Sequence, residues 1–224
     1  MAASVIAIDG PVASGKSAVG LQLSRDLGYR LVDTGMIYRA LTWLALDRGI
    51  DLEDAEALTV MAKGADFGLT APDENGRTGV TIEKIDVTDK LRLPEVDRAV
   101  PLVSRVPGVR EATLVFQRRL AADGHLVMLG RDIGTVVLPD APLKVYLDAS
   151  AEERARRRHL ELQQSGVERP YEEILAELRA RDEMDSNRHT SPLKAADGAL
   201  IINTDGLTLE QVIARVRAAA DALK

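Results

Sequence analysis

Residues 10–17 read Gly10-Pro11-Val12-Ala13-Ser14-Gly15-Lys16-Ser17, a G-x-x-x-x-G-K-[ST] run between an apolar stretch ending at Asp9 and an amphipathic helical pattern. Four fixed positions of these kinds fall by chance in about one chain in a hundred of this length, and the flanking strand and helix make an accident rarer. Each position has a physical reason. The glycines let the backbone turn so that successive N–H groups converge on phosphate oxygens at a helix N-terminus. Lys16 adds a mobile cation for the β- and γ-phosphates, and the Ser17 hydroxyl suits the oxygen shell of Mg²⁺. Gly10 to Ser17 are therefore the expected ATP-binding residues, and Ser17 is also the expected metal ligand.

Around this loop, short aliphatic runs alternate with helical patterns, the signature of a parallel sheet flanked by helices. The strands expected are Ser4–Asp9, Arg30–Asp33, His125–Leu129, Leu143–Asp148 and Ala199–Asn203, nearly all apolar as burial on both faces requires. Helices are expected over Gly15–Leu27, Gly35–Arg48, Ala151–Gln164, Tyr171–Asp185 and Thr208–Leu223, the last opening on a Thr208-x-Glu210 start. The fold class is α/β with a five-stranded parallel sheet. Ala65–Val87 breaks the alternation with two strand-like pieces, Asp66–Leu69 and Gly79–Ile82, around the turn-rich Pro72–Gly76, and reads as an inserted β-hairpin.

Composition narrows the partners. Lys plus Arg number 29 against 35 Asp plus Glu, a net charge of −6, and aromatics are 3%, so neither a basic field nor stacking platforms for polymeric nucleic acid are expected. The 224 residues contain no cysteine, which excludes disulfides and thiolate chemistry and fits a reducing compartment. No segment nears the roughly 18 apolar residues of a membrane helix. A soluble, cytoplasmic monomer without membrane contact is the expectation.

Two further segments follow strand ends: Asp33-Thr34-Gly35-Met36-Ile37-Tyr38-Arg39, and Gly130-Arg131-Asp132-Ile133-Gly134-Thr135-Val136-Val137. Ligands bind at that edge of an open parallel sheet, so both are expected to face the crevice that holds the phosphate loop. Arg181-Asp182-x-x-Asp185-x-x-Arg188 places Arg181, Asp185 and Arg188 on one expected helical face.

With these marks the chain resembles the bacterial cytidylate kinases over nearly its whole length. The resemblance implies one P-loop kinase domain over 1–224, a monophosphate-binding insertion at 64–100 and a mobile lid at 160–170. It implies transfer of the γ-phosphate of ATP to CMP or dCMP with Mg²⁺. It also implies that Thr34, Arg39 and Arg131 hold the CMP phosphate, Arg181 and Asp185 the sugar, and Arg110 and Asp132 the cytosine. Arg188 would face the transferring phosphoryl group, and Lys16, Arg131, Arg181 and Arg188 form the catalytic set. Tyr38 is either a substrate contact or core. Arg154 and Arg158, one turn apart, either belong to a solvated face or touch ATP. The acceptor is itself a phosphate, mostly dianionic near neutral pH, so no general base is needed. Another small-acceptor P-loop kinase, of the shikimate, gluconate or dephospho-coenzyme A type, and a non-catalytic ATP-binding module are the alternatives.

Three positions depart from the family pattern. Leu129 stands where an acid is usual before Gly130, which leaves Ser17 with Asp33 and Asp132 as outer-shell groups and implies weaker Mg²⁺ binding. Pro101 stands where a serine would reach cytosine, with Ser104 one turn later as a substitute, which implies looser rejection of UMP. Glu83-Lys84 replaces a tight Asn-Gly-type turn, and altered loop geometry is expected there.

Overall fold

The computed structural model describes residues 5–74 and 76–223, so Ser4, Asn75 and Lys224 lie outside the described residues. The chain runs β1 (Val5–Asp9), α1 (Lys16–Leu27), β2 (Arg30–Asp33), α2 (Thr34–Asp47), α3 (Ala55–Gly64), β3 (Phe67–Leu69), β4 (Val80–Ile82), β5 (Ile85–Asp86), α4 (Pro94–Ser104) and α5 (Pro107–Ala121). It continues with β6 (Leu126–Gly130), β7 (Leu143–Asp148), α6 (Ala151–Gln164), α7 (Tyr171–Asn187), β8 (Leu200–Asn203) and α8 (Leu209–Asp221). Five strands form a parallel sheet in the order β2-β6-β1-β7-β8, as the apolar runs predict. Contacts divide the chain into two compact units: residues up to Tyr29 with those from His125 onward, and Arg30–Gly124.

In the first unit β1 is central. It pairs with β6 from Val5↔Leu126 to Asp9↔Gly130 and with β7 from Ile6↔Leu143 to Asp9↔Tyr146. Ile6, Ala7, Ile8 and Leu126 to Leu129 are at most 1% exposed, which is why these strands carry no polar alternation. α8 starts at a reciprocal cap. The Thr208 hydroxyl accepts from Gln211 N–H and the Gln211 side chain accepts from Thr208 N–H, so the partner three residues on completes the start read from Thr208.

The second unit departs most from expectation. Three helices, α3 to α5, fill a region for which the sequence reading draws none. Pro94 and Pro107 occupy first-turn positions of α4 and α5, where the missing N–H would be unpaired in any case. Leu41, Leu58, Val96, Val103 and Val109 pack one core, each contributing about 1.5–3 kcal/mol by burial. The inserted hairpin gains a third strand, giving an antiparallel sheet β3-β4-β5. The turn between β4 and β5 is Glu83-Lys84 with φ of 51° and 66°. The expectation of altered geometry is thus corrected: the tight two-residue turn with both φ positive is kept by non-glycine residues. The Arg48 guanidinium pairs with the Glu83 carboxylate at 2.5 Å and helps hold it.

Candidate active site

The phosphate loop leaves β1 at Gly10, whose φ is 151° and where a Cβ would lie 2.1 Å from the Leu147 carbonyl oxygen. Only glycine passes there. Ala13 is left-handed at φ 61°, and Gly15, the N-cap of α1, at φ 95°. Lys16 Nζ donates to the carbonyls of Gly10 at 2.7 Å and Pro11 at 2.6 Å and lies 3.4 Å from Ser14 Oγ, so the lysine braces the loop that it serves. Ser17 is the second residue of α1, at the positive end of the helix.

Of the two arginines on α6, Arg154 is buried. It donates to the Val12 carbonyl at 3.2 Å and the Ala149 carbonyl at 3.0 Å, and forks onto the Asp182 carboxylate of α7. It thereby ties the loop's backbone to α7. Arg158 is half-buried and pairs with Glu161 at 2.7 Å. Asp182 was missed by sequence reasoning, although it lies inside the motif singled out there.

One carboxylate gathers the other arginines. Asp185, 5% exposed, forms ion pairs with Arg131, with Arg181 at 3.5 Å and with Arg188 at 3.6 Å. Three cations thus converge on one anion in a partly dry site, an arrangement suited to a polyanion. The expected helical face needs one correction. α7 ends at Asn187, and Arg188 is its C-cap with extended backbone (φ −67°, ψ 139°), so Arg188 joins from beyond the helix. Its Nε donates to the Ser191 carbonyl at 2.5 Å, which fixes its direction.

After β6, Arg131 and Asp132 lead into a π-helical turn, Ile133–Val137. Asp132 is buried. The turn is capped from another strand: Asp9 accepts the Ile133 N–H at 2.8 Å and the Gly134 N–H at 2.7 Å. Burial pushes the Asp9 carboxyl from 3.8 up to about 6, against the two N–H bonds that favour its ionised form. Sequence reasoning took Asp9 only as a strand end. Its signal was an acid closing an otherwise apolar strand. Leu129 is 1% exposed and opposite Ile8, a core residue of the sheet.

In the second unit Thr34 is buried in the first turn of α2. Asp33 is the N-cap of that helix and accepts the Gly35 N–H at 2.9 Å. Tyr38 is 8% exposed, so it is core. It is also bound to a polar stripe on α5. Thr113 Oγ1 donates to its hydroxyl at 3.2 Å, and the Arg110 guanidinium lies 5.1 Å from its ring centroid. Arg110 donates to the Ser104 carbonyl at 3.1 Å, while the Ser104 hydroxyl is 3.5 Å from the Pro101 carbonyl. Arg39 donates to the Leu91 carbonyl at 2.8 Å and pairs with Asp97. Thr113 escaped the sequence reading; it stands one turn after Arg110 and shares its helix face.

A hard-oxygen ion fits what is present. The Ser17 hydroxyl is a suitable donor, and the described residues contain no group of three or more His, Cys, Asp or Glu able to hold a metal, so nucleotide phosphates and water would supply most of an Mg²⁺ shell. No helix of the described residues is long and apolar enough to cross a membrane.

The family model for cytidylate kinase matches residues 6–222. A cytidylate kinase of Caldanaerobacter subterraneus subsp. tengcongensis is 46% identical over 211 residues, covering 94% of this chain and 92% of that one. One from Exiguobacterium sibiricum is 47% identical over 216 residues, covering 96% of each. Among solved structures, an uncharacterized protein from Eubacterium ventriosum aligns at TM-score 0.51 with 13% identity over 97% of this chain and 98% of that one, a likeness of fold alone.

Proposed function

The chain belongs to the cytidylate kinase family, and on that premise we infer that it moves the γ-phosphate of ATP onto CMP or dCMP, giving ADP with CDP or dCDP. The observation that carries the chemistry is the convergence of Arg131, Arg181 and Arg188 on Asp185 within the unit that bears the phosphate loop. Transfer between two phosphates asks little covalent chemistry of a protein. It asks for cations that hold two polyanions in line and absorb charge on the group in flight.

In this reading the loop N–H groups and Lys16 hold the donor phosphates, and Lys16 exchanges its carbonyl partners for phosphate oxygens. Ser17 would hold Mg²⁺, which when bound neutralises charge on the donor's phosphate oxygens. Arg131 orients the acceptor phosphate together with Thr34 and Arg39. Arg181 and Asp185 take the sugar, Arg110 and Asp132 the base, and Arg188 the transferring group. Arg154 serves the donor through the Val12 carbonyl that it grips, and Arg158 stands ready to exchange Glu161 for a phosphate. Residues 160–170, which comprise the end of α6 and the 165–170 connection to α7, are assigned as the lid, with 64–100 as the monophosphate-binding insertion. The alternatives, another small-acceptor kinase or a non-catalytic module, are not favoured by a family match over residues 6–222.

An ADP-release assay with ATP·Mg²⁺ against CMP, dCMP, UMP, AMP and shikimate tests this, with Lys16→Ala as control. Turnover led by CMP and dCMP is expected. Turnover led by shikimate, or none with any acceptor despite ATP binding, would overturn it.

A further inference from the structure

We propose that Asp9 is a positioning residue for the transfer: it holds the segment that presents Arg131 and Asp132 in fixed register with the phosphate loop. Asp9 is the last residue of β1, followed at once by Gly10, and the ladder sets it level with Gly130, the residue before Arg131. One carboxylate therefore touches both chemical segments of its unit.

The contact is specific to a carboxylate. Its oxygens divide between two N–H groups, Oδ1 to Ile133 at 2.8 Å and Oδ2 to Gly134 at 2.7 Å. These are first-turn donors of a helical segment, with no partner inside it. Asp132, the residue at the N-cap, makes no side-chain cap bond of its own. An ionised carboxylate offers two accepting oxygens on one short side chain; an amide offers one acceptor and one donor. Asp9 is 3% exposed, and burying a charge at a strand end is unfavourable unless its bonds are made. Nor can the loop absorb a displacement, because Gly10 already lies against the Leu147 carbonyl. A shift of Asp9 thus moves the Arg131–Asp132 segment relative to the loop.

The inference rests on the acceptor role proposed for Arg131 and Asp132, and the two fail separately. Steady-state kinetics would compare the wild type with Asp9→Asn, Arg131→Ala and the double variant. For Asp9→Asn, kcat/KM for CMP is expected to fall about tenfold to a hundredfold while KM for ATP moves less than about threefold, the size of effect that a small misplacement produces. The double variant should lose less than the product of the single losses. Wild-type CMP kinetics in Asp9→Asn beside a damaged Arg131→Ala, or equal losses toward both substrates, would overturn the proposal. An intact Arg131→Ala would instead remove the acceptor reading on which it stands. If Asp9→Asn does not fold, amide exchange of the wild type decides. Protection of Ile133 and Gly134 comparable to the β1–β6 ladder is expected, and fast exchange at both refutes the anchor.

Discussion

Replacing Asp185 by Asn removes the one carboxylate that Arg131, Arg181 and Arg188 share. At an effective dielectric of about 20, a single unit pair at 3.5 Å is worth roughly 5 kcal/mol before desolvation. Breaking a buried pair from one side costs about 3–5 kcal/mol net, because the remaining charge stays buried and uncompensated. Arg131 and Arg181 keep 20% and 18% of their side chains exposed, so water relieves part of the strain and the lower end applies. The expected loss is about 3 kcal/mol, or a Tm about 6–12 °C lower for a chain of this size. A dianion should repair much of it. In the variant, sulfate no longer competes with the Asp185 carboxylate for the three arginines, and an anion at a hundred times its Kd contributes about 2.7 kcal/mol. Melts of both proteins with rising sulfate, against chloride at matched ionic strength, should show the gap closing. A gap below about 1 kcal/mol without sulfate, or one that sulfate leaves unchanged, refutes the shared-carboxylate account.

The Asp9 carboxyl is raised from 3.8 to about 6, with Asp132, Lys16 and Tyr146 as the charged or titratable groups that face it. A raised carboxyl contributes stability that is full below its unfolded value and is lost as pH rises through its folded one. The stability of the wild type relative to Asp9→Asn should thus fall by about 3 kcal/mol from about pH 4 to about pH 7, and urea unfolding that gives a constant difference would contradict this. Lys16→Ala should lower kcat about a hundredfold to a thousandfold with little change in Tm; a kcat within threefold of wild type would discount the lysine's role. Pro101→Ser should raise the preference for CMP over UMP in kcat/KM about tenfold, by returning a hydroxyl to a site where Ser104 is turned toward the Pro101 carbonyl. An unchanged ratio would show that selectivity lies elsewhere.

Much of the sheet was legible because short aliphatic runs mark its strands: β2 and β7 match the expected bounds, and α6 does too. The sequence reading draws no helix over α4 and α5. Yet Pro94 and Pro107 sit where proline starts a helix, and Val96, Val100 and Val103 recur at helical spacing. The third strand of the small sheet was hidden by Glu83-Lys84, since neither residue announces a left-handed turn. The π-helical turn after Asp132 could not be read locally at all, because its cap comes from Asp9, 124 residues away. The arginines of the site were visible as a motif. Their common dependence on Asp185, with Arg131 arriving from a different element, was not.

Ala13 keeps a left-handed backbone that costs an L-residue roughly 1–2 kcal/mol and a glycine nothing. The methyl group also narrows what the loop can visit: a glycine at this place would roam both halves of torsion space before any nucleotide arrived. A loop confined in advance has less disorder to surrender on binding. The donor's affinity thus carries a smaller entropic penalty, and the strain at a single alanine is the counterpart of that saving.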